Sequence, residues 1–230
     1  MEGDRIPVPP TGLLDKTNPP KHPYANDNRR GWHLADFDLE EVDMKFLEKS
    51  QQFMRQQVEK NPNEPFFLYH ATQAVRLHSF PGKDFKGKTQ SGPHGDFIFE
   101  LDCIVGELMK TLIELDIDDN TMVIISSDNG PEAPTVYPMR HDYNHDGAWP
   151  WRGVKRDKWE GGHRVPLIVR WPGKVVTGST SAQITSLCDV FATAAELVGS
   201  KVPENAFALE TLLKQSIAAG RSRPLTLEKP

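Results

Sequence analysis

An α/β fold built on a parallel sheet is predicted from three features of the chain. A short apolar run at residues 65–70 follows a proline-rich lead and reads as a buried strand. Residues 95–115 carry apolar side chains at spacings of three and four, the mark of a helix. A second apolar run, from Met122 to Ile125, ends in two serines and then Asp128-Asn129-Gly130. Strand, helix, strand is a βαβ unit, which implies parallel strands and a right-handed crossover. Open sheets of this kind present their ligand sites at strand carboxyl ends, where Asp128 and Asn129 fall.

Taken in order, residues 1–37 read as an irregular segment rich in proline and polar residues, and residues 38–200 as the folded domain. A helix is expected over 38–60, with Val42, Phe46, Phe53 and Met54 on its inner face and a stop at Asn61-Pro62. The strand at 65–70 empties into a loop of about twenty residues, a length that points to a functional segment. In the helix at 95–115, Ile98, Leu101, Val105, Leu108 and Leu112 form the stripe, and Asp96 and Glu100 suit its positive amino end. Residues 165–171 form a further strand closed by Pro172-Gly173. A helix over 185–198 turns Leu187, Val190, Phe191, Ala194, Leu197 and Val198 inward and stops at Gly199. Residues 201–230 fade into a weakly structured tail, with a weak helix around 209–219.

Composition excludes several classes. With 230 residues the chain makes one large domain or two small ones. Its net charge is −5 and no basic run stands out, which argues against nucleic-acid binding. No apolar run approaches the roughly 20 residues needed to cross a bilayer, so no membrane span is expected. Met1 is followed by EGDRIPVPP, without the basic and apolar regions of a signal peptide. Cys103 and Cys188 sit in helical patterns and are expected as buried free thiols rather than a disulfide.

The chemistry gathers after the second strand. A carboxylate and an amide, Asp128 and Asn129, are hard oxygen ligands suited to Ca²⁺, although the same residues also serve ordinary turns. Arg152-Gly153-Val154-Lys155 and Trp159-Glu160-Gly161-Gly162 follow as a cationic, glycine-rich loop suited to an anionic ester. The stretch 131–149 reads as a loop rich in aromatic residues and histidine, and Tyr137, Trp149 and Trp151 either line a substrate entrance or pack. Arg152 and Arg164 are expected to pair with carboxylates that shape the loop, and Gly161-Gly162 to permit a tight turn before the next strand.

The block FFLYHATQAV, GPHGDFIFELDCIVGELMKTL, NTMVIISSDNGPE, WRGVKRDKWEGGHRVPLIVRWPG and LCDVFATAAELVG resembles the type I, formylglycine-dependent sulfatases. These are arylsulfatase-like members of the alkaline phosphatase superfamily. The resemblance implies a doubly wound, mostly parallel α/β sheet with helices on both faces, a bound Ca²⁺ and hydrolysis of sulfate esters. It implies that Asp128 and Asn129 are metal ligands and that Lys155 contacts the sulfate. It also implies a periplasmic or extracellular protein acting on a small-molecule or carbohydrate sulfate ester.

Two departures bear on mechanism. Where the family carries a sulfate-contacting histidine, often followed two residues later by proline, this chain has Arg76 and His78. Arg76 can bind an anion but cannot readily donate a proton, its pKa lying above about 12; His78 either swings in as the general acid or is an exposed loop residue. The family's Cys- or Ser-x-Pro-x-Arg signature, which supplies the formylglycine nucleophile, is absent from the 230 residues, as is the early pair of aspartates. The expected reading is the later part of a sulfatase catalytic domain, incomplete at its N-terminal side and inactive alone. A phosphoesterase-like relative and a non-catalytic remnant used in binding or assembly are the alternatives.

Overall fold

The computed structural model describes residues 8–14, 31–34, 36–78 and 80–202. The chain divides into two compact units: residues 1–118 with 129–165, and residues 119–128 with 166–230. The tail from 203 onward, including the helix expected at 209–219, lies outside the described residues.

The first unit opens with two short strands, β1 (Gly12–Leu14) and β2 (Gly31–His33), paired antiparallel with Leu13 opposite Trp32. The irregular segment expected here thus contains a β-ribbon. The His33 ring packs over Gly12, where a Cβ would displace it.

Helix α1 (Val42–Lys60) starts from a short 3₁₀ turn, Leu39–Glu41, capped by the Asp38 carboxylate on the Glu40 N–H at 2.9 Å. It ends at Asn61, as expected from Asn61-Pro62. Its buried face is Asp43, Leu47, Ser50 and Met54, while Phe46 and Phe53 are exposed, so of the expected stripe only Met54 is buried. Helix α2 (Gly92–Glu114) runs beside α1 in the same sense: Gln51 donates to Thr111 Oγ1, and one turn on Arg55 pairs with Glu114.

The α2 stripe is also rotated from expectation. His94, Asp96, Phe97, Glu100, Ile104, Thr111 and Leu112 are buried, and Ile98 faces out. The physical reason is that buried carboxylates here serve backbone donors. Asp96 accepts from the N–H groups of Gly87 and Thr89 at 2.7 and 2.8 Å, and Glu100 accepts from Gly82 N–H at 2.8 Å. From α1, Asp43 takes the N–H groups of Gln73 and Ala74 at 2.6 and 2.8 Å. Charge-assisted bonds of this kind contribute roughly 1.5–3 kcal/mol each. They fasten the long loop after residue 70 to two helices, so the loop is ordered by polar anchors where apolar packing would not hold it.

Residues 65–70 do not form the strand expected of them. The segment's exposure alternates, with Phe67 at 70% and Tyr69 at 81%, yet it has no ladder partner among the described residues. Alternation is a strand's side-chain signature, but a strand also needs a neighbour for its N–H and C=O groups.

The second unit holds β3 (Val123–Ser126) and β4 (Leu167–Arg170), paired antiparallel with Ile124 opposite Val169 and Ser126 opposite Leu167. Both strands fall where the sequence places them; their direction differs from the parallel neighbours of a βαβ unit. Helix α4 (Cys188–Leu197) begins with a capping box: Ser186 Oγ accepts from Cys188 N–H, and Asp189 reaches back to the Ser186 N–H at 2.8 Å. Asp189, Ala192 and Thr193 are buried; of the expected inner face Val190, Ala194 and Leu197 are half-buried, while Leu187, Phe191 and Val198 are exposed. Asp189 and Thr193 can be buried because their bonds are met within the helix start, a compensation that hydrophobic periodicity does not register. Both cysteines are free, Cys103 half-buried and Cys188 exposed, so the thiols are unpaired as expected but not both buried.

Candidate functional site

The loop after β3 is built on backbone contact. Gly130 N–H donates to Gly162 C=O at 2.9 Å, and Gly161 N–H donates to Arg152 C=O at 2.8 Å. A Cβ at Gly130 would collide with the Gly161 carbonyl, and one at Gly161 with the Gly153 carbonyl. The glycines of SDNG and WEGG thus interlock, which explains why the two motifs occur together. Gly161-Gly162 is needed for close approach more than for the tight turn anticipated from sequence.

This interlock positions Lys155. Its N–H donates to Pro131 C=O at 2.8 Å, which ties the lysine to the segment just after Asn129. Its ammonium lies 3.6 Å from Glu132 Oε1, and the same oxygen takes the Arg156 guanidinium at 2.9 Å. The Lys155 side chain is 29% exposed and that of Glu132 12%. Glu132 was not singled out by sequence; an acidic residue directly after SDNGP, with two adjacent cations downstream, is the signal that could have found it. The stretch 131–149, expected as a loop, contains helix α3 (Ala133–Tyr143), with Pro134 in its first turn and Thr135, Val136 and Met139 buried.

Asn129 is half-buried, and its side-chain N–H donates to Gly130 C=O at 2.9 Å. Asp128 is exposed at the end of the β3 segment and belongs to the other compact unit. Both offer the hard oxygen chemistry that Ca²⁺ takes. As a pair they fall short of its usual six to eight ligands, and among the described residues no group of three or more His, Cys, Asp or Glu is gathered to hold an ion. These residues alone do not fit a closed calcium site.

Arg76 and His78 lie on the loop that Asp43, Glu100 and Asp96 anchor. Arg76 is exposed, its N–H closing a turn onto Gln73 C=O at 2.7 Å. His78 is half-buried and stacks on Phe80 with ring centroids 6.1 Å apart. Burial raises the Glu100 carboxyl to about 7, against the Gly82 hydrogen bond, with Asp43 and Glu40 raising it further. His94 is buried and held down to about 4 by desolvation and by His145. His94 therefore belongs to the packing of α2, neutral at physiological pH.

Around Lys155 the remaining arginines stack on indoles. Arg152 lies over the Trp159 ring at 3.9 Å and Arg164 over Trp151 at 4.0 Å. Arg164 also pairs with Glu160 at 2.9 Å, as expected for an arginine shaping the loop; Arg152 instead takes an aromatic partner.

Comparison with known proteins gives one consistent result. The family model described as Sulfatase matches residues 10–200. An N-acetylgalactosamine-6-O-sulfatase of Bacteroides thetaiotaomicron is 41% identical over 146 residues, covering 62% of this chain and 28% of that protein. A steryl-sulfatase of Rattus norvegicus is 37% identical over 145 residues, covering 63% and 25%. Among solved structures, a sulfatase of Bacteroides thetaiotaomicron, from a study of glycosaminoglycan metabolism, aligns with a TM-score of 0.70 at 32% identity, covering 82% of this chain and 40% of that one. A sulfatase from Pseudoalteromonas sp. aligns at 0.67 and 30% identity, covering 81% and 36%. The chain spans about a quarter of the length of the curated relatives it matches.

Proposed function

The chain belongs to the sulfatase family and has the alkaline phosphatase-like α/β fold of its members, and from this we propose that it serves the hydrolysis of sulfate esters. The observation that carries the proposal is the placement of Lys155, whose side chain is half-buried, tied by its backbone to the segment after Asn129 and paired with Glu132.

In this reading Lys155 holds a sulfate oxygen as a point charge. Glu132 keeps the ammonium extended until the anion arrives. Arg76 adds a second cation for the sulfate, and His78, the only one of that pair able to release a proton, protonates the leaving alcohol. Asp128 and Asn129 would offer two oxygens to a Ca²⁺, which when bound would neutralise charge on the sulfate; as they fall short of a closed calcium site by themselves, the remaining ligands would have to come from outside these 230 residues. The nucleophile is likewise expected outside them, since no Cys- or Ser-x-Pro-x-Arg occurs here.

The test is hydrolysis of 4-nitrocatechol sulfate and 4-nitrophenyl phosphate by the complete enzyme and its Lys155→Ala variant. Removing a cation that meets developing charge is expected to lower kcat/KM for the sulfate roughly 10²- to 10³-fold. An unchanged variant would refute the role of Lys155. Faster turnover of the phosphate would favour a phosphoesterase of the same superfamily.

A further inference from the structure

We infer that Arg156 is a positioning residue for the anion site: by holding the Glu132 carboxylate it keeps the neighbouring Lys155 ammonium available to a sulfate. The inference rests on the sulfatase reading above and adds the side chain that sets how available Lys155 is.

Residues 154–157 form a tight turn. Asp157 N–H donates to Val154 C=O at 2.9 Å, and Asp157 Oδ2 accepts from Val154 N–H at 3.0 Å. Lys155 and Arg156 are its two central residues. Arg156 has a φ of 79°, the left-handed value that the third position of a type II turn demands. Glycine meets that demand without strain, whereas an arginine there brings its Cβ against the backbone. The turn itself gives no reason for an arginine. The reason lies in what the guanidinium meets.

It meets a carboxylate that is fixed in place. Glu132 stands at the N-terminal end of α3, and its C=O accepts from the N–H groups of Thr135 and Val136 at 3.1 and 3.0 Å. Its Oε1 takes the Arg156 guanidinium at 2.9 Å, a hydrogen-bond distance, while the Lys155 ammonium stands outside that range at 3.6 Å. Two cations thus face one carboxylate, and the arginine holds the closer place. The three side chains together leave one positive charge for an arriving anion. Without Arg156 that sum is zero and the carboxylate is left to close on Lys155. The lysine backbone cannot retreat, since its N–H is held by Pro131 C=O at 2.8 Å. The Arg156 side chain is 78% exposed and that of Lys155 29%, so an anion is better sheltered from water at the lysine. Arg156 therefore acts through Glu132 rather than by its own grip.

The experiment titrates inorganic sulfate into the isotope-labelled 230-residue chain at constant ionic strength and follows the backbone amides by NMR. Arg156→Gln is expected to weaken sulfate binding about three- to fivefold, and Arg156→Lys, which returns the charge, to stay within about twofold of the parent. In a Glu132→Gln background the same Arg156→Gln change should cost less than about twofold, because no carboxylate is left to close on Lys155. Arg156→Gly adds a second readout. It relaxes the turn, so the urea midpoint should hold or rise while sulfate binding falls as in Arg156→Gln. A midpoint and an affinity that fall together would mark a merely structural role and overturn the inference.

Unchanged affinity in Arg156→Gln also overturns it. So does an equal loss with and without Glu132, which would make Arg156 a direct ligand of the anion. A parent chain that takes up no sulfate overturns it too, because Lys155 is then not available to an anion. Lys155→Ala keeps the two readings apart. If that change removes sulfate binding while the Arg156 variants bind like the parent, only this inference fails. If sulfate binds equally well without Lys155, the role given to the lysine falls, and Arg156 has nothing to position.

Discussion

Glu132 Oε1 serves two cations, Lys155 at 3.6 Å and Arg156 at 2.9 Å. A sulfate arriving at Lys155 competes with that carboxylate. Glu132→Gln is therefore expected to tighten inorganic sulfate binding about two- to fivefold, the worth of a weak ion pair at 3.6 Å, as read by titration calorimetry. The glycine interlock makes a sharper prediction. Gly161→Ala forces a methyl group into the Gly153 carbonyl, backbone that cannot swing aside, and should cost about 1–3 kcal/mol in urea unfolding. Sequence marked Lys155, Asp128 and Asn129 because motif spacing carries them. It passed over Glu132, whose importance comes from two partners more than twenty residues away, and it placed Arg152 with carboxylates when its partner is an indole.

Helix α2 carries two buried titrating groups whose effects on stability oppose each other. The Glu100 carboxyl, raised by burial to about 7, keeps its proton in the fold after the unfolded chain has lost it; its contribution is fully present below about 4.5 and is lost as pH rises toward 7. His94, lowered by burial to about 4, stays neutral in the fold while the unfolded chain takes up a proton; its contribution is present above about 6.5 and is lost as pH falls toward 4. Between about 4.5 and 6.5 the two slopes offset. Glu100→Gln should make stability rise with pH across that window, and His94→Asn should make it fall, both followed by chemical denaturation at stepped pH. Identical slopes in the two variants would contradict the assignment. Helix extents were readable from periodicity and from the Asn61-Pro62 stop. Helix faces were not, because Asp43, Asp96, Glu100, Asp189 and Thr193 are buried with their hydrogen bonds met, and periodicity counts such residues as outward.

For the molecule as a whole, family and fold could be read from a block spanning most of the described chain, since SDNG, RGxKxxxWEGGxRVP and WPG keep their order and spacing. The strand at 65–70 could not be confirmed by the same reasoning, because pairing depends on a neighbour and a single segment does not specify one. Its alternating exposure leaves Phe67 and Tyr69 presented to solvent on an unpaired edge, a template for self-association. Phe67→Lys is expected to reduce concentration-dependent association in sedimentation experiments and to change unfolding free energy by no more than about 0.5 kcal/mol. The 230 residues alone are expected to hydrolyse 4-nitrocatechol sulfate no faster than buffer; measurable turnover that tracks Lys155 would overturn the view that the nucleophile lies elsewhere.

The three carboxylates that hold the loop after residue 70 also partition it into separate loops. Asp43 fixes the chain at Gln73 and Ala74, Glu100 fixes it at Gly82, and Asp96 fixes it at Gly87 and Thr89. Closure entropy grows only with the logarithm of the length between fixed ends, so each span can change length at little cost and without disturbing the next. Arg76 and His78 share the first span. Lengthening it would move both together, away from whatever they meet, while Gly82 and everything after it kept their places. The span that carries Arg76 and His78 can thus diversify independently of the fold that bears it.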